Sequence, residues 1–370
     1  MRMTELDCIR GFALVTITVN HIGIFVGKAG YDGFYIPTLT RFGYSSAAEL
    51  FFLISGYLLG YTQFGRGRVD FARSSARLAA RACNLLAMNC VLFVFIFSLL
   101  RYFPLSLQQS LGFAVVPGNA PLLAKELLTL GYNLTFLDIL NFYILLLLAA
   151  IPFGILLMRS TVAACLLIVA LYLVANKFPQ FSMPGGNLGG SGYWTFNPLA
   201  WQFLFLGSMV AGRFAVHEHF QRIMLEQPFR RAIVAVSVAL FVIFDIVYVI
   251  DAYLPDFSMP MVGLTTLAPI RLAHALVTFL LLAALLTGYP LLRNNPVYRL
   301  LVLVGKHSLI CFMGSIALTY VAVYFWYYEQ TTPAYLALCA AAAGLLILIA
   351  FVAETLRNAQ RSSLGEPARA

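Results

Sequence analysis

The 370-residue chain is 61% hydrophobic and 11% charged, with a mean hydropathy of +0.86, whereas soluble domains are roughly a quarter charged. That balance excludes a soluble globular enzyme and points to an all-α, polytopic integral membrane protein. The net charge of +9 calls for no nucleic-acid partner, because membrane proteins collect Lys and Arg on one side of the bilayer.

Spanning the hydrocarbon takes about 20 residues of helix, and apolar runs of that order recur at 9–28, 46–64, 79–100, 138–158, 160–176, 196–215, 231–250, 268–288, 302–325 and 334–353. The pattern predicts about ten transmembrane helices. The first run lacks a small-residue cleavage site and is expected to stay as a helix. With the N-terminus inside, only Lys28, Arg41, Arg101, Lys125, Lys177 and Arg271 of the 24 basic residues fall outside. Both termini are therefore expected in the cytoplasm, around one membrane domain (1–356) with a polar tail (357–370) expected to be disordered.

Between spans, "APLLAKELLTLG" (120–131) is amphipathic and is expected to lie as a short helix at the outer interface. Residues 177–195 form a Gly- and Pro-rich connector whose glycines lack the Lys-Ser or Lys-Thr of a phosphate loop. Asn197 then offers a helix cap with Pro198 at the first helical position. The six cysteines show no C-x-x-C spacing and read as packing residues, so neither a metal nor a disulfide is expected. "HEH" at 217–219 lacks a second His four residues after the first and reads as solvated.

Chemistry concentrates in the first helix, "LDCIRGFALVTITVNHIG" (6–23). Arg10 and His21 are eleven steps apart, which at about 100° each leaves the two only about 20° apart, on one stripe and roughly 16 Å apart along the axis. Arg10 then sits at the inner mouth and His21 in the outer half. The second helix places Glu49 at a depth comparable to His21, among Leu50, Phe51 and Phe52. A lone carboxylate there is costly and an imidazole is an available partner, so His21 and Glu49 are a candidate catalytic dyad.

At this point the residues carry a resemblance. "LDCIRGFALVTITVNHIG" and "AELFFLISGYLLG" resemble the first two helices of the membrane acyltransferases of type 3, whose signature is an Arg and a His with ten residues between them. "LTFLDILNFYILLLLAAIP", "YWTFNPLAWQFLFLGSMVAG" and "LVGKHSLICFMGSIALTY" are similar to segments of one branch, the OpgC proteins that succinylate osmoregulated periplasmic glucans. The resemblance implies a multi-pass protein of the bacterial inner membrane, with succinyl-CoA as acyl donor and periplasmic glucan as acceptor. Arg10 matches the position associated with coenzyme A and His21 the catalytic base. Many relatives carry Asp directly before this His, whereas here Asn20 stands there, leaving Glu49 as the expected orienting acid.

Other polar residues divide by depth. Arg77, Arg81, Lys306 and His307 lie at inner helix ends and are candidates to hold coenzyme A phosphates beside Arg10. Asp138, Asn141, Trp201, Gln202, Arg271 and His274 lie in the outer half and are candidates to line a sugar site. Arg271 is of special interest as a cation for the free succinyl carboxylate. Two other functions compete: O-acetylation of another envelope polysaccharide, and proton-coupled transport with His21, Glu49 and Asp245 as relay. A homo-oligomer is compatible with the sequence.

Overall fold

The computed structural model describes residues 3–38, 43–65, 67, 69–113, 121, 122, 125, 131, 134–185, 192–253 and 263–363. Among these the fold is all-helical apart from an isolated bridge between Pro184 and Tyr193. In chain order the helices are α1 (Thr4–Lys28), α2 (Ala47–Phe64), α3 (Phe71–Leu100), α4 (Leu105–Ser110), α5 (Asp138–Arg159), α6 (Thr161–Lys177) and α7 (Pro198–Arg213). There follow α8 (Val216–Leu225), α9 (Gln227–Tyr253), α10 (Pro269–Gly288), α11 (Pro296–Lys306), α12 (Ser308–Glu329) and α13 (Thr332–Ser363).

Among the described residues seven helices are long and apolar enough to cross a membrane: α1, α3, α5, α9, α10, α12 and α13. The α7–α8 pair, bent by 72°, brings the number to eight if it forms one span. This is a multi-span membrane protein. Burial ranks the helices: 67% of the most apolar stretch of α1 is buried against 6% of that of α9, so α1 runs through the middle and α9 faces lipid.

Glycines let the central helices touch backbone to backbone. A Cβ at Gly11 would strike the Leu301 carbonyl of α11, and one at Gly305 the Asp7 carbonyl of α1. Gly56 and Gly60 of α2 meet the Phe205 and Met209 carbonyls of α7, and Gly212 returns the contact against Tyr57. Lipid tails are as apolar as Leu, so close van der Waals contact rather than water exclusion holds such pairs.

Several expected boundaries move. The single span expected at 302–325 is two helices, because His307 (φ −107°, ψ 33°) leaves the helical region between α11 and α12. Helix α13 runs on to Ser363, so 357–363 of the expected disordered tail is helical. The interfacial helix expected at 120–131 lies largely outside the described residues. Asn197 does cap α7, its side chain accepting from the Leu199 N–H, with Pro198 next. His217 is not simply solvated: the Tyr57 hydroxyl lies 2.6 Å from His217 Nδ1 and accepts the His217 backbone N–H at 3.0 Å, whereas Glu218 and His219 are exposed.

Candidate active site

His21 opens on a cavity of about 750 Å³ toward the C-terminal end of α1. One wall is α1 itself (Ile17, Asn20, His21, Ile24, Lys28), and the others come from the α2 N-terminus, the approach to α5, Phe196, Tyr248 of α9, Arg271 of α10 and Phe312 of α12. The His21 ring stacks on Phe136, with centroids 3.7 Å apart and planes 11° from parallel. Its Nδ1 is buried and has no hydrogen-bond partner among the described residues.

The expected contact between His21 and Glu49 is not formed. Glu49 is the third residue of α2 and completes a capping box: its Oε2 accepts the Ser46 backbone N–H at 2.8 Å and the Ser46 hydroxyl at 2.5 Å. Its Oε1 accepts from Arg271 Nε, in an ion pair where the carboxylate is wholly buried. Glu49 therefore spends both oxygens on its own cap and on Arg271, and the cation it neutralises faces the cavity beside His21. A buried carboxylate takes the strongest donor in reach, and a guanidinium outcompetes a neutral imidazole.

Asp138, at the start of α5, also lines the cavity, held by Thr195 and by the Ile139 backbone N–H at 2.9 Å. The remaining sugar-site candidates do not reach it. Asn141 is buried and accepts from Asn89 Nδ2 at 2.6 Å, tying α5 to α3. Trp201 donates its indole N–H to the Leu264 carbonyl at 2.9 Å, and Gln202 donates to the Ile168 carbonyl at 2.9 Å, so both brace helices rather than face substrate. His274 is buried behind the wall: Ser45 donates its backbone N–H to Nδ1 at 3.0 Å and its hydroxyl lies 2.8 Å away, while Asp245 is 3.7 Å from Nε2. With Glu49 on Arg271 and Asp245 beside His274, the three-member relay of the transporter reading is not assembled.

A second cavity of about 470 Å³, mostly apolar, lies toward the N-terminal end of α1, between Leu6, Ile9, α7, α8 and α10. Arg10 lines neither cavity; its guanidinium is 4.0 Å from Asp7. Arg77 and Arg81 are exposed on α3, Arg81 lying 5.6 Å from the Tyr143 ring centre. Lys306 and His307 both bind Glu354, Lys306 as an ion pair and His307 with Nε2 2.6 Å from the carboxylate. The Lys306 charge is thus answered within the protein, and His307 already has a carboxylate partner. Phe136, Phe196 and Tyr248, cavity residues that sequence reasoning passed over, carry no periodic signal because two lie in connecting segments and the third on the lipid-facing helix.

A bundle of apolar spans around a cavity lined by a histidine, an arginine and a carboxylate defines a multi-span membrane protein with a polar pocket between its helices. Comparison with known families makes this particular. The chain matches the OpgC protein family over residues 2–360 and belongs to it. Membership implies a transferase function of the glucan-succinylating type. No curated protein and no solved structure matches the chain.

Proposed function

We propose that the chain moves a succinyl group from cytoplasmic succinyl-CoA to glucose hydroxyls of periplasmic glucans, as a member of the type 3 acyltransferases. The observation that carries this reading is His21 on the wall of a 750 Å³ cavity that it shares with Arg271 and Asp138, in a chain of the OpgC family. With Nδ1 buried, Nε2 is the ring nitrogen left to the cavity. It takes the proton of a glucose hydroxyl as that oxygen attacks the thioester carbonyl, and returns it to the departing coenzyme A sulfur. Arg271, its guanidinium fixed by Glu49, offers a cation to the distal succinate carboxylate.

Ten spans with both termini cytoplasmic fit this direction of transfer. The seven long helices reach that number with the bent α7–α8 pair, α2 and α6 included. The inner membrane of a bacterium is then the location, with the apolar cavity near Leu6 and Ile9 able to take the uncharged arm of coenzyme A and its phosphates left to cations outside that cavity, for which Arg10, Arg77 and Arg81 are the candidates. Mass spectrometry of periplasmic glucans from cells with and without the protein tests the proposal. A gain of succinyl mass on glucan is the expected result; acetyl mass on another polysaccharide would replace acyl group and acceptor together.

A further inference from the structure

We infer that Phe136 is the positioning residue of His21, giving the imidazole a flat aromatic face where the expected carboxylate is missing. The inference rests on the general-base reading above. A histidine that works as a base must hold one ring orientation, and a hydrogen bond to its second nitrogen usually supplies this. Here Nδ1 has no such bond and Glu49 is committed to Arg271. The near-parallel Phe136 ring at 3.7 Å stands in its place.

The backbone supports a specific role. Phe136 has φ +75°, in the left-handed region that a bulky side chain rarely adopts. Strain of this kind persists only where the surroundings impose it, and it gathers at functional sites. The surroundings are present: Tyr320 donates its hydroxyl to the carbonyl of neighbouring Thr135 at 2.9 Å. Phe25 leans on the Phe136 ring with centroids 4.7 Å apart and meets Tyr320 edge-on at 5.0 Å. A strained turn, pinned from two sides, thus lays one ring flat on His21. The π-face restricts rotation of the imidazole and favours the imidazolium formed when the proton is taken. Phe136 itself makes and breaks no bond.

The test compares F136G, F136L and F136Y with the wild type in two measurements. In the first, the protein carries isotope-labelled histidine; with five histidines in the chain, loss of one signal in H21Q assigns His21. Its ring protons are expected to be displaced by the Phe136 ring current, to lose that displacement in F136G and F136L, and to keep it in F136Y. In the second, succinyl transfer is expected to lose roughly tenfold in kcat in F136G and F136L with little change in glucan KM, and to recover in F136Y. F136G removes the ring while relieving the backbone, so it tests the inference even where F136L fails to fold. Wild-type kcat in F136G, a rise in KM alone as for a sugar platform, or a His21 signal indifferent to the ring would each overturn the inference. Full transfer by H21A would instead sink the base reading, and because the resonance measurement needs no turnover the two failures are told apart.

Discussion

Arg271 and Glu49 meet across 222 positions of sequence, the first turn of α10 against the first turn of α2. The pair converts a buried carboxylate from a liability into the mount of a cavity-facing cation. Each partner without the other is a charge stranded in an apolar surrounding, which typically costs about 3–5 kcal/mol.

R271L should therefore lower the thermal midpoint of the purified protein strongly, and E49L/R271L should recover part of the loss because it removes both charges. If the double variant is no more stable than R271L, the pair is not the stabilising unit. In an R271L preparation that folds, succinyl transfer should fall more than acetyl transfer; equal loss of both would remove Arg271 from acyl recognition.

H21A should reduce glucan succinylation by about 10²- to 10⁴-fold, the usual contribution of a general base, while leaving the thermal midpoint close to wild type. Near-normal transfer by a folded H21A protein would refute the assignment.

Asn141 separates a structural from a sugar-binding role. Its bond with Asn89 is buried, and stranding one member of such a pair costs roughly 1–3 kcal/mol. N141L should destabilise the protein by that order, and N89L/N141L should be milder than the two single changes summed. An unchanged melting curve with a raised glucan KM would show that Asn141 meets substrate after all.

Gly60 lies against the Met209 carbonyl with no room for a side chain. G60L must force α2 from α7, and overpacking of this kind costs typically 1–3 kcal/mol or more. A melting curve of the solubilised variant checks this, and a wild-type midpoint would mean that the helices separate freely.

Much of the frame was legible in the chain. Apolar runs located most helices, Asn197 and Pro198 marked the α7 start, and the spacing of Arg10 and His21 drew attention to α1, which is the most buried of the long apolar helices and brings His21 to a cavity wall. What escaped was partnership. Depth alone made His21 and Glu49 neighbours, but depth does not fix angle around the bundle, and Arg271 occupied the position that the imidazole was expected to fill. Trp201 and Gln202 had the right chemistry for a sugar site, yet their donors are consumed by the Leu264 and Ile168 carbonyls, a fact that only tertiary packing decides. Arg10 shares a stripe with His21 but reaches neither cavity, since a stripe names one face of a helix and not what stands opposite each level of it. Phe136 was hidden because its role depends on a backbone angle that no periodicity encodes.

The contrast between a sheltered α1 and a bare α9 has a consequence for the bilayer. Helix α9 meets acyl chains along nearly its whole length, yet the same helix brings Tyr248 to the cavity wall and Asp245 to the ring of His274. Lipid exposure and cavity lining thus fall on one and the same helix on that side, while on the other His21 is carried by α1, whose apolar stretch is 67% buried.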